Sequence, residues 1–223
     1  MRPKVVILAD GESTAQNLAD RYFIDIDGEE LLPRSVRQFS EWADVDVLTS
    51  NYQVAGRLAG VRTVPGSDQR KTYLANDMIR KGLEQCGGER TIIVFGDVYF
   101  TDRAVQVIKK GNNRSWGVYG RSQSNPYTGT PWAEWFAFEV RDLVATHQGF
   151  AALKGTVKNY RSGAWPTCKT WDWYYEMEGM PYYIDDVANV PTGDHWVEIN
   201  DLTDDIDFLG DALNLRRAVR AKG

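Results

Sequence analysis

An aspartate follows the most apolar stretch of the chain, and its position suits metal binding. Residues 91–95 (TIIVF) form a continuous run of β-branched and aromatic side chains, and Gly96 and Asp97 come directly after it. A glycine at that point lets a ligand approach the backbone closely, and a carboxylate beside a diphosphate binds Mg²⁺ or Mn²⁺. In the alternative interpretation, Asp97 is a turn residue that only caps a helix. We expect Asp97 to hold the divalent cation.

Further metal ligands are expected near the carboxyl end of the chain. An acidic run covers residues 198–207 (EINDLTDDID), and His195 comes shortly before it. Magnesium needs oxygen donors that arrive from separate segments, and an imidazole suits manganese. We therefore expect Asn200, Asp201 and His195 to join Asp97 at the metal. Two other interpretations stay open: His195 packs without a ligand, and the acidic run begins a helix that carries acids in its first turn.

Two carboxylates among aromatic residues are candidate general bases. Glu134 lies in PWAEWF (131–136), and Asp172 lies in TWDWY (170–174). Burial beside bulky rings raises a carboxylate pKa towards the range of a general base. Aromatic rings also stack on sugars and nucleobases. In the alternative interpretation, the rings belong to the core and Glu134 only alternates outwards.

The alternation of predicted strands and helices brings such residues to one edge of a sheet. Short apolar runs predict strands at 5–9, 45–48, 61–64, 91–95, 116–119, 135–140 and 196–199. Helical spacing of apolar residues predicts helices within 31–42, 71–84, 101–111, 141–154, 170–177 and 211–218. This order predicts a Rossmann-like α/β domain with a mostly parallel sheet flanked by helices, and a smaller mixed region on the acceptor side. Ligands of such sheets bind at the carboxyl ends of the strands.

Length and charge limit the domain count and the kind of partner. The 223 residues can bury one core, so we expect one domain over 1–223, with a nucleotide-binding half (1–111) and an acceptor-side half (112–223). The net charge of -5 argues against a broad basic surface for nucleic acid and leaves room for a local basic patch only. The candidate members of that patch are Arg114, Arg121, Lys154, Lys158 and Arg161.

Neither a disulfide scaffold nor a membrane anchor is expected. Cys86 and Cys168 are too few and too isolated for a disulfide framework or a zinc site. The apolar run before Asp10 is too short for a signal peptide or a membrane span. We therefore expect a cytoplasmic protein without a membrane partner.

Five segments of the chain carry a family resemblance in their order and spacing. They are VVILADGE, IDIDGEELLPRSVRQF, IIVFGDVYFTDRAVQVI, WAEWFAF and HWVEINDLTDDIDF. Together they resemble the nucleotidyltransferase-like glycosyltransferase-A fold, and in particular small enzymes encoded by tailed bacteriophages, which implies a location in the host cytoplasm. The resemblance implies that the first strand and its loop hold the nucleotide, with Asp97 as metal ligand. The expected nucleotide-binding residues are Ala9, Asp10, Gly11, Glu12, Arg21, Ser50, Asn51 and Gly96.

The loop after the first strand departs from this pattern. Pyrophosphorylases of this fold carry an arginine in that loop and then a proline-lysine pair, and these cations stabilise the triphosphate. Residues 11–17 (GESTAQN) lack the arginine, and Arg21 is the only obvious stand-in for the lysine. The loss of one such group typically costs about a hundredfold or more in rate. The departure therefore favours a glycosyltransferase that uses a nucleotide diphosphate sugar with Mn²⁺ or Mg²⁺.

Three functions follow, in order of preference. In the glycosyltransferase, Glu134 or Asp172 activates the acceptor hydroxyl. The resemblance to phage enzymes alone suggests that this acceptor is a hydroxymethylated base in DNA, which the local basic patch would contact. The first alternative is a nucleotidyltransferase that joins a nucleoside triphosphate and a sugar phosphate. The second is an inactive nucleotide-binding module.

Overall fold

A seven-stranded sheet with helices on both faces organises the computed structural model. The structure describes residues 2–9, 21–58, 60–65, 74–165, 168–181, 190–207 and 209–222. The strands are β1 (Lys4–Leu8), β2 (Asp44–Thr49), β3 (Arg62–Pro65), β4 (Thr91–Phe95), β5 (Val98–Tyr99), β6 (Trp116–Arg121), β7 (Glu134–Val140), β8 (Trp196–Glu198) and β9 (Asp204–Asp205). The helices are α1 (Leu31–Ser40), α2 (Tyr52–Arg57), α3 (Leu74–Leu83), α4 (Asp102–Lys110), α5 (Leu143–Arg161), α6 (Thr170–Glu178) and α7 (Leu209–Lys222).

The strand directions decide which residues meet at the functional edge of the sheet. The order is β3-β2-β1-β4-β7-β6-β8, and within this sheet only β7 runs against its neighbours. The predicted mostly parallel sheet flanked by helices is therefore confirmed. Because β7 is antiparallel to β4, its first residue, Glu134, lies at the edge where β4 ends and Asp97 follows. Strands from both predicted halves share this sheet, and the boundary at residue 111 stays a prediction.

The central strands are apolar throughout because both of their faces are covered. Along β1, Val5 and Ile7 pack into one buried cluster with residues of α1 and α4. Val6 and Leu8 pack into a second cluster with α3, α5 and α6 on the other face. This alternation is the two-residue period of a strand, and burial on both faces explains the continuous aliphatic run.

Some element boundaries match the sequence prediction and others do not. Thr101 caps α4 as predicted, since its side chain accepts a hydrogen bond from the Ala104 backbone N–H at 3.0 Å, and Gly111 ends that helix with φ 73°. The acids of 204–205 form β9, which pairs antiparallel with β5. They do not form the first turn of a helix, because α7 begins only at Leu209. None of the described helices combines the length and apolar character that a membrane crossing requires.

A glycine in β6 aligns the end of this strand with the site. The pairing of β6 with β7 shifts register between Tyr119 and Gly120, which brings Arg121 opposite Glu134. A Cβ atom on Gly120 would overlap the carbonyl oxygen of Glu134 and lie 2.6 Å from the Trp196 ring. The close approach of β7 and β8 therefore requires a residue without a side chain.

We predict that Gly120→Ala lowers the free energy of unfolding by about 1–3 kcal/mol, because the new methyl group forces β7 and the Trp196 ring apart. Urea denaturation followed by circular dichroism measures this change. The matched control is Gly56→Ala in α2, where a Cβ meets nothing within 4 Å. It should gain up to about 1 kcal/mol from helix propensity. Equal stability of Gly120→Ala and the wild type would contradict the prediction.

Candidate active site

Three carboxylates crowd together at the carboxyl edge of the sheet. Glu134 comes from the start of β7, and Asp204 and Asp205 form β9. One oxygen of each lies within 4.8 Å of an oxygen of the other two. Glu134 and Asp204 are buried, while Asp205 is partly buried. We call these three residues the carboxylate cluster.

Arg121 is buried against the carboxylate cluster. Its Nη2 donates to Glu134 Oε2 and, at 3.1 Å, to Asp204 Oδ1. Its Nη1 donates to the Thr203 carbonyl oxygen at 2.9 Å. The second oxygen of Asp204 accepts from the Thr130 hydroxyl at 3.0 Å. Charge-assisted hydrogen bonds of this kind are the strong ones, so Arg121 fixes the positions of two of the three carboxylates.

Asp97 faces the same region from the end of β4, and a second arginine holds it. Arg21, in a 3-10 turn, places Nη1 3.1 Å from Asp97 Oδ2 and 3.8 Å from Asp207 Oδ1. A Cβ on Gly96 would lie 3.0 Å from the Leu8 carbonyl oxygen. Gly96 is thus required for the close approach of β1 and β4 directly before Asp97.

The crowding of negative charge shows in the pKa values of three acids. Burial raises the pKa of Glu134, and the neighbouring carboxyl groups of Asp204 and Asp205 raise it further. Burial raises the pKa of Asp205 to about 8, against the hydrogen bond with Glu134, which lowers it. Burial and the charge of Asp97 also raise the pKa of Asp207, while Arg21 opposes the shift. Such a site favours the arrival of a proton or a cation.

The donor set fits a divalent cation. Glu134 Oε1 is buried and has no hydrogen-bond partner among the described residues. A buried polar atom without a partner is rare in proteins and points to a missing ion or water. Carboxylate oxygens from separate segments are the ligands that Mg²⁺ prefers, and Mn²⁺ shares that preference. Glu134 and Asp205 of the carboxylate cluster would hold it, and Asp97, which lines the same cleft, is the further candidate ligand from the end of β4.

A cleft of about 410 Å³ opens beside these acids. Its lining combines aromatic and acidic side chains with Lys169 and Thr170 at the start of α6. The lining residues are Phe95, Asp97, Val98, Trp132, Ala133, Glu134, Trp135, Lys169, Thr170, Trp171, Asp205 and Asp207. Trp132 is 36% exposed, and Trp171 stacks on Trp196 with ring centroids 5.3 Å apart. Flat rings beside charged groups suit a ligand that combines a ring with phosphate.

The structure does not bring His195 to Asp97. The imidazole stacks on Trp116 with centroids 4.0 Å apart, and its Nδ1 lies 3.1 Å from Glu178 Oε2. Trp116 begins β6, and β8 runs parallel to β6. His195 therefore lies near the amino ends of these strands, at the edge opposite the carboxylate cluster. The packing interpretation of this residue agrees with the geometry.

The predicted ligands Asn200 and Asp201 also have other surroundings. Asp201 accepts hydrogen bonds from the Thr101 hydroxyl at 2.6 Å and from the Thr203 backbone N–H at 2.8 Å. Asn200 is exposed. Asp201 thus ties the segment before β9 to the start of α4, and the acids that the acidic run supplies to the carboxylate cluster are Asp204 and Asp205.

Asp172 has a structural partner instead of a cleft position. It is 2% exposed and accepts a hydrogen bond from the Lys169 backbone N–H at the start of α6. A residue that caps a helix in this way holds the first turn together. The aromatic residues beside it, Trp173 and Tyr174, are fully buried, as the core interpretation expects. The structure therefore places Asp172 as a support of Lys169.

The predicted nucleotide-binding residues divide into three groups. Asp10, Gly11 and Glu12 lie outside the described residues. Arg21 and Gly96 adjoin Asp97. The third group lies at the ends of β1 and β2: Ala9 is buried, Ser50 is exposed, and Asn51 caps α2 by accepting from the Gln53 backbone N–H at 2.9 Å. The nucleotide role of this third group stays a prediction.

The five residues of the predicted basic patch do not form one surface. Arg121 is 1% exposed and belongs to the site interior. Arg114 is exposed and lies 3.5 Å from Asp194, while Lys154, Lys158 and Arg161 lie on α5. The role of Arg121 escapes sequence reasoning because arginine is normally a surface residue. Its signal is the position at the end of an apolar strand, opposite an acid that begins the next strand.

Comparison with known proteins finds similarity at the level of fold. No protein-family model matches the chain, and no curated protein matches its sequence. Among solved structures, CMP:2-keto-3-deoxy-manno-octonic acid synthetase complexed with CTP superposes with a TM-score of 0.62 at 11% identity, over 100% of both chains. A proposed glucose-1-phosphate thymidylyltransferase from Bacillus anthracis gives 0.61 at 13% identity, over 98% of this chain and 94% of that one. The 2-C-methyl-D-erythritol 4-phosphate cytidylyltransferase from Thermus thermophilus gives 0.57 at 15% identity, over 99% and 100%.

The chain shares its fold with these three solved structures. Identities of 11–15% show this fold and nothing finer. The three named structures carry nucleotidyltransferase or synthetase names, so the predicted nucleotidyltransferase-like fold is confirmed. The preference for a glycosyltransferase, the phage origin and the DNA acceptor gain no support from them, and the burial of Arg121 removes one member of the expected DNA contact.

We predict that Mg²⁺ or Mn²⁺ raises the melting temperature by a few degrees at pH 8, because the cation binds the folded carboxylate cluster only. Without metal, the melting temperature should fall as pH rises from about 4 to about 8. The reason is that the pKa of Asp205, raised to about 8, lets the folded state keep a proton that the unfolded state loses. Differential scanning fluorimetry with and without EDTA measures both effects.

The variant Asp205→Asn should melt at or above the wild-type temperature in EDTA and lose the response to metal. The matched control is Asp194→Asn, whose carboxylate is 82% exposed and lies beside Arg114. It should keep both the metal response and the pH slope of the wild type. An unchanged metal response in Asp205→Asn would show that the cation binds elsewhere.

Proposed function

We propose that the protein is a metal-dependent nucleotidyltransferase, which transfers a nucleoside monophosphate from a nucleoside triphosphate to a phosphorylated small molecule. The observation that carries this proposal is the carboxylate cluster with the unpartnered Oε1 of Glu134 among the described residues, beside a cleft that offers both aromatic rings and Lys169. The fold shared with nucleotidyltransferases supports it.

The proposed reaction brings two polyanions together. An oxygen of the acceptor phosphate bonds to the α-phosphorus, the bond from that phosphorus to the β-phosphate oxygen breaks, and pyrophosphate leaves with the electron pair. A divalent cation bound by Asp97, Glu134 and Asp205 would neutralise part of the triphosphate charge. Arg121 is fully buried and acts on the carboxylates, which it holds in place.

The choice between acceptors follows from what the acids can do. A phosphate monoester loses its second proton near pH 6, so its oxygen attacks without help from a general base. A sugar or nucleobase hydroxyl needs such a base. The two predicted bases are engaged elsewhere, because Glu134 bonds to Arg121 and Asp172 bonds to the Lys169 backbone. A phosphate acceptor therefore needs no general base from this site, whereas a hydroxyl acceptor needs one.

Arg21 meets only the lysine part of the pattern on which the case against nucleotidyl transfer depends. That case depends on the missing arginine in residues 11–17, which lie outside the described residues. Arg21 is described, and its guanidinium lies 3.1 Å from Asp97 at the carboxyl edge of the sheet. In this proposal, the guanidinium of Arg21 takes the place of that lysine and contacts the triphosphate beside Asp97.

The cleft suggests where the acceptor binds. Trp132 and Trp171 offer flat surfaces for a sugar or similar ring. Lys169 is exposed at the amino end of α6, where its charge and the positive end of the helix dipole both favour a phosphate. These contacts would hold the acceptor next to the carboxylate cluster.

The test is the release of pyrophosphate in the presence of Mg²⁺, a panel of nucleoside triphosphates and a panel of sugar phosphates. Release that requires both substrates is the expected result, and Asp97→Asn should lower kcat by about a hundredfold or more, as for other lost electrostatic groups. The control Asp194→Asn should keep the wild-type rate. Release of a nucleoside diphosphate from nucleotide sugars, with no pyrophosphate from any pair, would replace this proposal with glycosyl transfer.

We predict that Lys169→Met raises the KM for the acceptor about tenfold and changes the KM for the triphosphate little, because one charge-assisted phosphate contact is lost. Initial rates at varied acceptor and fixed triphosphate measure the effect. Lys154→Met on the outer face of α5 is the matched control and should leave both KM values unchanged. An equal rise in both KM values after Lys169→Met would contradict the assignment of this lysine to the acceptor.

A further inference from the structure

Arg21 occupies a position between two acids of the site. Its Nη1 lies 3.1 Å from Asp97 and 3.8 Å from Asp207, and its Nη2 donates to the Tyr22 hydroxyl at 3.3 Å. The side chain is 13% exposed, so water screens these charges only weakly. The guanidinium is therefore a strongly coupled counter-ion of Asp97, a proposed metal ligand.

Among the described residues, acids outnumber arginines at this edge, and protons or a further cation must offset the difference. The acids are Asp97, Glu134, Asp204, Asp205 and Asp207, and two guanidinium groups, Arg21 and Arg121, contact them. Arg121 pairs with Glu134 and Asp204. Arg21 alone serves Asp97 and Asp207 among the described residues. A divalent cation that binds Asp97 must therefore compete with the charge of Arg21.

The guanidinium of Arg21 also has donor capacity to spare. Its Nε is buried and has no hydrogen-bond partner within the described part of the chain. A guanidinium presents five N–H donors in a planar fork that matches the oxygens of a phosphate. An arginine that has an unused donor and a long side chain can exchange a carboxylate partner for a phosphate partner at little cost in hydrogen bonds.

We propose that Arg21 is an exchangeable counter-ion, which neutralises Asp97 and Asp207 before a divalent cation binds and moves to the triphosphate when metal and nucleotide arrive together. This inference rests on the metal site of the proposed function. It makes Arg21 a positioning residue for the metal and a contact residue for the nucleotide. One side chain thus stabilises the empty site and then the loaded one.

The exchange predicts effects of opposite sign on two ligands. Removal of Arg21 frees Asp97, so the affinity for Mn²⁺ alone should rise by about tenfold or more, since a buried competing charge is lost. The same removal should lower the affinity for a metal-free triphosphate by about tenfold or more, since a charge-assisted phosphate contact is lost. A residue that only supported the fold would lower both affinities.

The experiment is calorimetric titration of Mn²⁺ alone, and of CTP and GTP in EDTA, into the wild type and three variants. Arg21→Gln removes the charge, and Arg21→Lys keeps a charge without the planar fork. Lys154→Met is the matched control, because it removes an exposed charge from α5 and does not line the cleft. It should change Mn²⁺ affinity less than about threefold, because exposed charges are screened.

The outcomes separate this proposal from the proposed function. Tighter Mn²⁺ binding together with weaker triphosphate binding in Arg21→Gln, with Arg21→Lys in between, supports the exchange. Unchanged or weaker Mn²⁺ binding in both Arg21 variants overturns the exchange and leaves the metal site and the transferase standing. The absence of Mn²⁺ binding in the wild type and in both Arg21 variants overturns both proposals. If Arg21→Gln does not fold, Arg21→Lys alone decides: tighter Mn²⁺ binding together with weaker triphosphate binding supports the exchange.

Discussion

A buried guanidinium among acids is the constraint on which the functional edge of this protein depends. Arg121 is 1% exposed and donates to Glu134, Asp204 and the carbonyl oxygens of Gln123 and Thr203. Moving such ions out of water costs several kcal/mol per ion, and only full pairing offsets that cost. Strands β6, β7 and β9 must therefore meet at one point. They meet at the carboxylate cluster.

The elements around Arg121 transmit this constraint to the rest of the site. Asp201 accepts from Thr101 and from the Thr203 backbone, which joins the start of α4 to the segment that enters β9. Because β9 pairs with β5, directly after Asp97, the same joint sets the distance between Asp205 and Asp97. Asp201, which resembles a metal ligand in sequence, thus holds the acids of the carboxylate cluster in position.

The sequence predicts the regular part of the fold well and the site only in part. Long apolar runs and capped helices such as α4 can be read from local patterns, and they match. The two-residue strands β5 and β9 and the six-residue α2 are too short for any periodicity to show. The position of His195 depends on the direction of β8. The pairing of β8 with β6 fixes that direction, and no local sequence pattern indicates it. The same holds for Arg121, whose partner across β7 appears only once the strands are in register.

Many acids lie at one edge of this sheet, and the stability of the rest of the fold explains why the protein tolerates them. Hydrophobic clusters on both faces of the sheet provide the stability of the fold. The protein can therefore tolerate electrostatic repulsion among the acids at this edge. Burial and then the charges of the neighbouring acids raise the pKa of Asp205, and Arg21 pairs with Asp97 at the same edge. A site that is satisfied in its empty state gains little from binding. In the proposed function, Glu134 Oε1, which has no hydrogen-bond partner among the described residues, would gain one when a divalent cation and a triphosphate bind together.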